Sequence, residues 1–243
     1  MKVNVIGTSC TWFKRNDTSF ILDDKYVFDT PEGSYKDIIK VVDALKIKSF
    51  FITHFHCDHF GDFHIFATYI MRLLPEGSEK VKVYGPKGTL DTLIAYNTLM
   101  KGADDECSKE ALTKNMEFIE LYDGKVFNDG KYEITTYLME HGKPETFGFT
   151  FKDKETGTVY GFSADTKMCD NLIKIIERSN YGFIEMAAST PSKTHISIDE
   201  FIELSKKYPS TKMYPVHTND HSQEYAENNG LNALKDGQVL NLE

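Results

Sequence analysis

Between residues 53 and 62 the chain reads THFHCDHFGD, which places His54, His56, Asp58 and His59 within ten positions. Side chains of this kind do not crowd together for packing, because each needs a polar partner when buried. Imidazole and carboxylate are intermediate-to-hard ligands suited to Zn2+, Mn2+ or iron. In an extended segment His54 and His56 project to the same side and can point both rings at one ion. Asp58 and His59, where the chain turns into a helix, can face a second point a few ångströms away. Metal-assisted hydrolysis is the chemistry such a cluster would serve: two divalent ions acidify a water and neutralise charge developing on a phosphoryl or carbonyl oxygen.

One cluster supplies too few ligands for two ions, so others must come from later in the chain. His141 ends the strand-like KYEITTYLMEH, Asp165 ends GTVYGFSAD and His217 ends KMYPVH. Donors at strand ends would gather on one edge of the sheets that carry them. Those sheets are legible in outline. KVNVIG reads as a strand, and SFILDDKYVFDT as two strands about an Asp23-Asp24 turn. SYKDIIKVVDALK carries Ile38, Val41, Val42 and Leu45 at helical spacing. SFFIT is a short apolar run suited to a strand buried on both faces. The histidine cluster follows it and leads into the helical FHIFATYIMRLL, so it sits on a loop at the C-terminal end of a strand.

Strand KVKVYG and helix TLDTLIAYNTLM come next, and residues 101–115 read as a polar surface excursion or lid. MEFIELY, KYEITTYLMEH, TFGFTFKD and GTVYGFSAD are strand-like, separated by turns such as Asp123-Gly124 and Asp129-Gly130. Helix NLIKIIERS, strand YGFIEMA, helix SIDEFIELSKKY and strands KMYPVH and QVLNLE complete the pattern. Ser197 with Glu200 forms a capping box that starts a helix two residues after His195. Each half thus gives strands followed by strand–helix units. The expectation is an α/β (α+β) chain with two mixed β-sheets and helices outside, forming one domain over residues 1–243.

H-x-H-x-D-H followed by His, Asp and His at strand ends resembles the metallo-β-lactamase fold superfamily, over a stretch from Gly7 to His217. The resemblance implies an αββα sandwich with helices on the outer faces and a dinuclear centre. It implies that His54, His56 and His141 hold one metal and that Asp58, His59 and His217 hold the other. Asp165 would bridge both, with a hydroxide shared between the ions. Zinc is the first choice of ion, with manganese or iron accommodated by the same donors.

Within the superfamily the chain is most similar to the tRNase Z and cyclic phosphodiesterase branch. YVFDTPEGS resembles that branch's Asp/Asn-x-x-Glu-Gly segment. YGFIEMA places Glu185 at a strand end, and KTHIS places His195 before a capped helix. The resemblance implies that His195, supported by Glu185, protonates the leaving alkoxide, with Asp58 also counted in the catalytic set. A histidine held by a carboxylate suits that work near neutral pH. The branch's tRNA-processing members carry an arm between the later ligands, whereas only 23 residues separate His141 from Asp165. Ile184 stands where many relatives have a histidine. Cys57, outside the ligand pattern, reads as a small packing residue, and His64 and His221 as surface or supporting residues.

Bulk properties narrow the partners. Lys and Arg total 28 against 37 Asp and Glu, a formal charge of −9, which disfavours a long nucleic-acid partner, since phosphate backbones want a basic stripe. A small anionic substrate fits better, because bound ions would return positive charge to the site. The four cysteines, Cys10, Cys57, Cys107 and Cys169, are scattered without a CxxC and suggest no disulfide framework. No membrane span or leader is visible, so a cytoplasmic protein is expected, and the branch's common dimers leave room for a homodimer. The sequence therefore points to a dinuclear metal-dependent hydrolase of small or cyclic phosphodiesters. An ester, thioester or lactone hydrolase on the same centre is the nearest alternative. A metal-retaining module without turnover is the alternative from another class.

Overall fold

The computed structural model describes residues 1–102 and 104–243. Contacts divide the chain into two compact units. One comprises Met1–Ile6, Ser19–Leu121 and Val239–Leu242, and the other Gly7–Thr18, Tyr122–Gln238 and Glu243. Each unit owns one mixed sheet.

In the first unit the strands are β1 (Lys2–Gly7), β2 (Ser19–Leu22), β3 (Tyr26–Phe28), β4 (Ser49–Phe51), β5 (Val81–Gly85) and β6 (Met116–Glu120). They lie side by side in that order, and the last strand of the chain adds to the free edge of β1. β2 and β3 form the expected hairpin, closed by the three residues Asp23, Asp24 and Lys25, with Asp23 and Asp24 both left-handed at φ 48° and 56°. β3, β4, β5 and β6 then run parallel. The intervening helices are α1 (Ser34–Val41), α2 (Cys57–Phe60), α3 (Phe63–Leu73), α4 (Thr89–Lys101) and α5 (Asp105–Asn115). Ile38, Phe66, Ile70, Leu93 and Leu112 from these helices join Val27, Phe50 and Val83 in one core. On the opposite pleat Phe28, Phe51 and Tyr84 stack as a ladder across the parallel strands. Phe50 and Phe51 are both fully buried, so this strand is buried on both faces.

In the second unit β7 (Val126–Asp129), β8 (Tyr132–Met139), β9 (Thr146–Asp153) and β10 (Val159–Phe162) form an antiparallel meander. Helix α6 (Asp170–Arg178) then leads to β11 (Tyr181–Glu185), and α7 (Ile198–Lys207) to β12 (Lys212–Val216); β10, β11 and β12 run parallel. Helix α8 (Asp220–Asn228) and strand β13 (Val239–Asn241) end the order. Leu172, Ile175, Ile176, Phe201 and Leu204 pack with Tyr137, Ile184 and Met213. Gly148 and Gly161 let α6 lie close to its sheet, since a Cβ at either would collide with Ile175.

Two expectations are corrected. Residues 101–115 are no lid: α5 is a regular helix, started by the Asp104 carboxylate accepting from Glu106 N and Cys107 N. Leu112 is buried in the core and Asn115 caps the carbonyls of Ile70 and Met71; Ala103, within that stretch, lies outside the described residues. Helix α1 stops at Val41, short of Leu45, because the Asp43 side chain accepts from Leu45 N and starts a separate 3-10 turn over Ala44–Lys46. Among the described residues no helix is long and apolar enough to cross a membrane.

Candidate metal centre

In the first unit the donors stand just beyond β4. His54, Asp58 and His59 are buried, and His56 is exposed. His54 Nε2 and His56 Nδ1 face each other at 2.9 Å, and the His54 and His59 rings lie 4.2 Å apart. What aims these rings is Asp29, immediately after β3 and left-handed at φ 56°. Its carboxylate accepts from Thr53 N at 2.8 Å, Thr53 Oγ1 at 2.9 Å and His59 Nδ1 at 2.7 Å. With its proton given to Asp29, the Thr53 hydroxyl accepts from His54 Nδ1 at 3.0 Å. Both His54 and His59 are thereby fixed as the tautomer whose Nε2 carries a lone pair, the form that ligates metal. Burial pushes the Asp29 carboxyl up, against the pull of the His59 ring and the Thr53 donors.

The segment after Asp29 also shapes the backbone of the cluster. Thr30 N donates to His59 O at 2.8 Å, Glu32 N to Cys57 O at 3.2 Å, and Asp62 N to Thr30 O at 2.9 Å. Gly61 is required where this segment crosses, since a Cβ there would strike Cys57 O and Glu32 N. YVFDTPEGS is thus the cradle of the histidine loop.

The second unit gathers its donors at the ends of β8, β10, β11 and β12. His141, Asp165 and His217 are buried. Asp165 Oδ2 lies 3.1 Å from His217 Nε2 and 3.5 Å from His141 Nε2. His141 Nδ1 donates to Thr194 O at 3.0 Å, which leaves Nε2 as its lone-pair nitrogen. Ligand atoms of Asp165, His195 and His217 all fall within 4.8 Å of one another. Ala164 and His217 are both left-handed, at φ 53° and 51°, a conformation that non-glycine residues adopt chiefly where the surroundings enforce it. Glu185, at the end of β11, accepts from Thr166 N, from Ala187 N at 3.3 Å and from His195 Nδ1 at 3.2 Å. Burial drives the Glu185 carboxyl up, opposed by His195. His195 keeps 27% of its side chain exposed.

These donors fit divalent ions. Two ligands that share an ion at roughly 2.1 Å in tetrahedral geometry sit about 3.4 Å apart, close to the 2.9, 3.1 and 3.5 Å separations observed here. Nitrogen and oxygen donors, most of them buried and with the His54, His59 and His141 tautomers fixed, suit zinc, manganese or iron.

The structure therefore groups His54, His56, Asp58 and His59 in one unit, and His141, Asp165, Glu185, His195 and His217 in the other. Cys57 is exposed, a correction of its packing role: it opens the one-turn helix α2 and contributes its backbone carbonyl, while its thiol points outward. His64 bridges Gly61 O at 2.8 Å and Tyr96 Oη at 3.1 Å, and His221 is exposed. Sequence reasoning assigned no part to Asp29, Thr53 or Arg15. For Asp29 a signal existed, since it is the leading Asp of the Asp/Asn-x-x-Glu-Gly segment, but that segment carries no assigned role in the sequence reading.

Comparison with known proteins follows the same lines. A family model described as "Anti-Pycsar protein Apyc1" matches residues 34–240. A ribonuclease Z from Leuconostoc mesenteroides is 28% identical over 148 residues, covering 58% of this chain and 44% of that protein. A ribonuclease BN from Erwinia tasmaniensis is 29% identical over 143 residues, covering 56% and 43%. The chain thus spans less than half the length of these curated relatives. Among solved structures, the metallo-β-lactamase fold protein YhfI from Bacillus subtilis matches with TM-score 0.76 and 17% identity over 98% of both chains. The short form of human tRNase Z matches with TM-score 0.73 and 19% identity over 100% of both. The chain has the metallo-β-lactamase fold, as expected, and its sequence relatives fall in the tRNase Z and phosphodiesterase branch.

Proposed function

The chain belongs to the Anti-Pycsar protein Apyc1 family, and from that premise we propose that it is a dinuclear metal-dependent hydrolase of small or cyclic phosphodiesters. Each cluster alone is a partial ligand set. On the superfamily pattern His54, His56 and His141 would hold one ion and Asp58, His59 and His217 the other, with Asp165 available to both. The chain passes between its two units at residues 6–7, 18–19, 121–122, 238–239 and 242–243, and the reading treats residues 1–243 as one domain.

The observation that carries the reading is the locking of the imidazoles. Asp29 through His59, the Thr53 relay through His54, and Thr194 O through His141 each hold an Nδ1 proton and present Nε2. Histidines that serve only as packing have no need of three such contacts with one outcome, two built on Asp29 and one on Thr194 O. Bound divalent ions would supply positive charge for phosphoryl oxygens and lower the pKa of water at the site.

The chain's own contribution to bond cleavage is His195. With Nδ1 held by Glu185 and the ring partly exposed, its Nε2 is the atom able to hand a proton to the departing oxygen. The buried Glu185 carboxylate stabilises the imidazolium that precedes the transfer. A small anionic substrate suits the acidic chain, because bound ions would return positive charge to the site.

The test is turnover of bis(p-nitrophenyl) phosphate with zinc or manganese supplied, followed by cyclic nucleotides and short RNA. Metal-dependent hydrolysis that Asp165→Ala abolishes supports the reading. A protein that holds its ions yet cleaves only esters, thioesters or lactones contradicts it.

A further inference from the structure

The loop Gly7–Thr18, within the second unit, is tied to the two residues that follow β12. His217 N donates to Thr18 Oγ1 at 3.0 Å, Thr218 N to Thr8 O at 2.9 Å, and Cys10 N to Thr218 O at 3.2 Å. One side chain closes this junction. Arg15 Nη2 donates to Thr218 O at 2.8 Å, while Nη1 reaches Thr218 Oγ1 at 3.1 Å, Thr8 Oγ1 at 3.0 Å and Gln223 Oε1 at 3.5 Å. Thr8 and Thr218 are fully buried. The Thr218 hydroxyl in turn donates to Gln223 Oε1 at 2.9 Å, and Gln223 is anchored by Leu234 O at 3.0 Å. Arg15 Nε is 3.8 Å from the exposed Asp220 carboxylate. Gly7 admits the returning strand of the loop, since a Cβ there would overlap the carbonyls of Asn16 and Asp17.

This fastening sits where the backbone is strained. His217 is left-handed at φ 51°, a state disfavoured for a residue with a Cβ and sustained only by its surroundings. The next residue is gripped at both its carbonyl and its hydroxyl by one planar guanidinium, a geometry an ammonium cannot reproduce. We infer that Arg15 is a positioning residue for His217: its fork fixes Thr218, and with Thr18 it holds the left-handed turn that aims the imidazole toward Asp165. The inference rests on the metal-centre reading above.

Calorimetric titration of the metal-stripped full chain with zinc, and separately with manganese, tests it. Wild type should show two uptake steps. Arg15→Lys, which keeps the charge and loses the fork, should weaken one step about 10- to 100-fold, the scale expected when a group that orients a ligand is removed. The other step should stay unchanged, and the melting temperature of the metal-free variant should stay close to wild type. Thr18→Val, which removes the acceptor for His217 N with little change in volume, should weaken the same step and carries the test if Arg15→Lys fails to fold. Unchanged affinity for both ions in these variants overturns the inference. Equal weakening of both steps together with a lowered metal-free melting temperature also overturns it, because that is the mark of general loosening. A flat titration of the wild-type chain overturns the metal reading itself, before any variant is made.

Discussion

Asp29 and Glu185 occupy matching places in the two units. Each lies at the end of a strand that runs parallel to its neighbour, β3 beside β4 and β11 beside β10. Each is buried, accepts a backbone N–H from just beyond that neighbour, at Thr53 and Thr166, and holds a histidine by Nδ1. The histidines differ. His59 is buried and held at 2.7 Å, whereas His195 retains 27% exposure and is held at 3.2 Å. A sealed imidazole with its proton fixed is suited to ligate; one left open to substrate is suited to deliver a proton. On the proposed function, one carboxylate–imidazole device would serve two ends, with burial deciding between them.

The comparison breaks most severely at Asp165, the carboxylate that faces both His141 and His217. Asp165→Ala should reduce phosphodiester turnover to the blank and lower bound metal, measured by elemental analysis of the dialysed protein. His195→Ala should leave bound metal at the wild-type level and cut kcat by roughly 10²- to 10⁴-fold, the usual share of a general acid. A leaving group that needs no protonation should recover most of that loss, seen by comparing nitrophenyl with alkyl phosphodiesters.

The matched pair of carboxylates can then be separated directly. Asp29→Asn should act on the ions, lowering metal affinity about 10- to 100-fold, read by competition with a chromophoric chelator. Glu185→Gln should act on kcat while metal affinity is preserved. Should both variants shift the same quantity, the division of labour between the two histidines is wrong.

The smallest effects concern two turn carboxylates that take no part in chemistry. Asp153 is pushed up by desolvation, but Lys131 and the N–H groups of Glu155 and Thr156 together hold it below the usual carboxylate value. A depressed carboxyl stabilises the fold above its unfolded pKa, and that stability is lost as pH falls through the folded value. Asp153→Asn should therefore cost about 1 kcal/mol near neutrality, with the gap from wild type closing in acid. Asp24, in the corresponding hairpin of the first unit, is lowered chiefly by its hydrogen bond to Lys2, and both side chains are more than 40% exposed. Asp24→Asn should cost under about 0.5 kcal/mol. Melting curves from neutral to acid pH check both.

Much of this was legible from residues close together in the chain. The THFHCDHFGD cluster announces itself through local composition. Strands buried on one or both faces carry their period, and Ser197 with Glu200 forms the capping box with both reciprocal bonds present. The Asp23-Asp24 turn follows from the same local chemistry. Features that depend on distant partners were not legible. Arg15 meets Thr218 across 203 positions, and nothing near Arg15 in sequence distinguishes it from a solvated arginine. Helix α8 was missed because its residues are mostly polar, with Ala226 its one small apolar core contact, so the hydrophobic period that marks a helix is absent. Helix α5 was taken for an excursion for the same reason. The role of Asp29 is hidden because its partners, Thr53 and His59, lie 24 and 30 positions away.

The central claim is the proposal that the chain is a dinuclear metal-dependent hydrolase. It is tested most directly by the initial rate on bis(p-nitrophenyl) phosphate as zinc or manganese is added stepwise to the metal-stripped chain. The account predicts activity that rises to a plateau at two ions per chain and is absent in Asp165→Ala at every metal level. Full activity at one ion, or no hydrolysis by a chain that holds two, would contradict it.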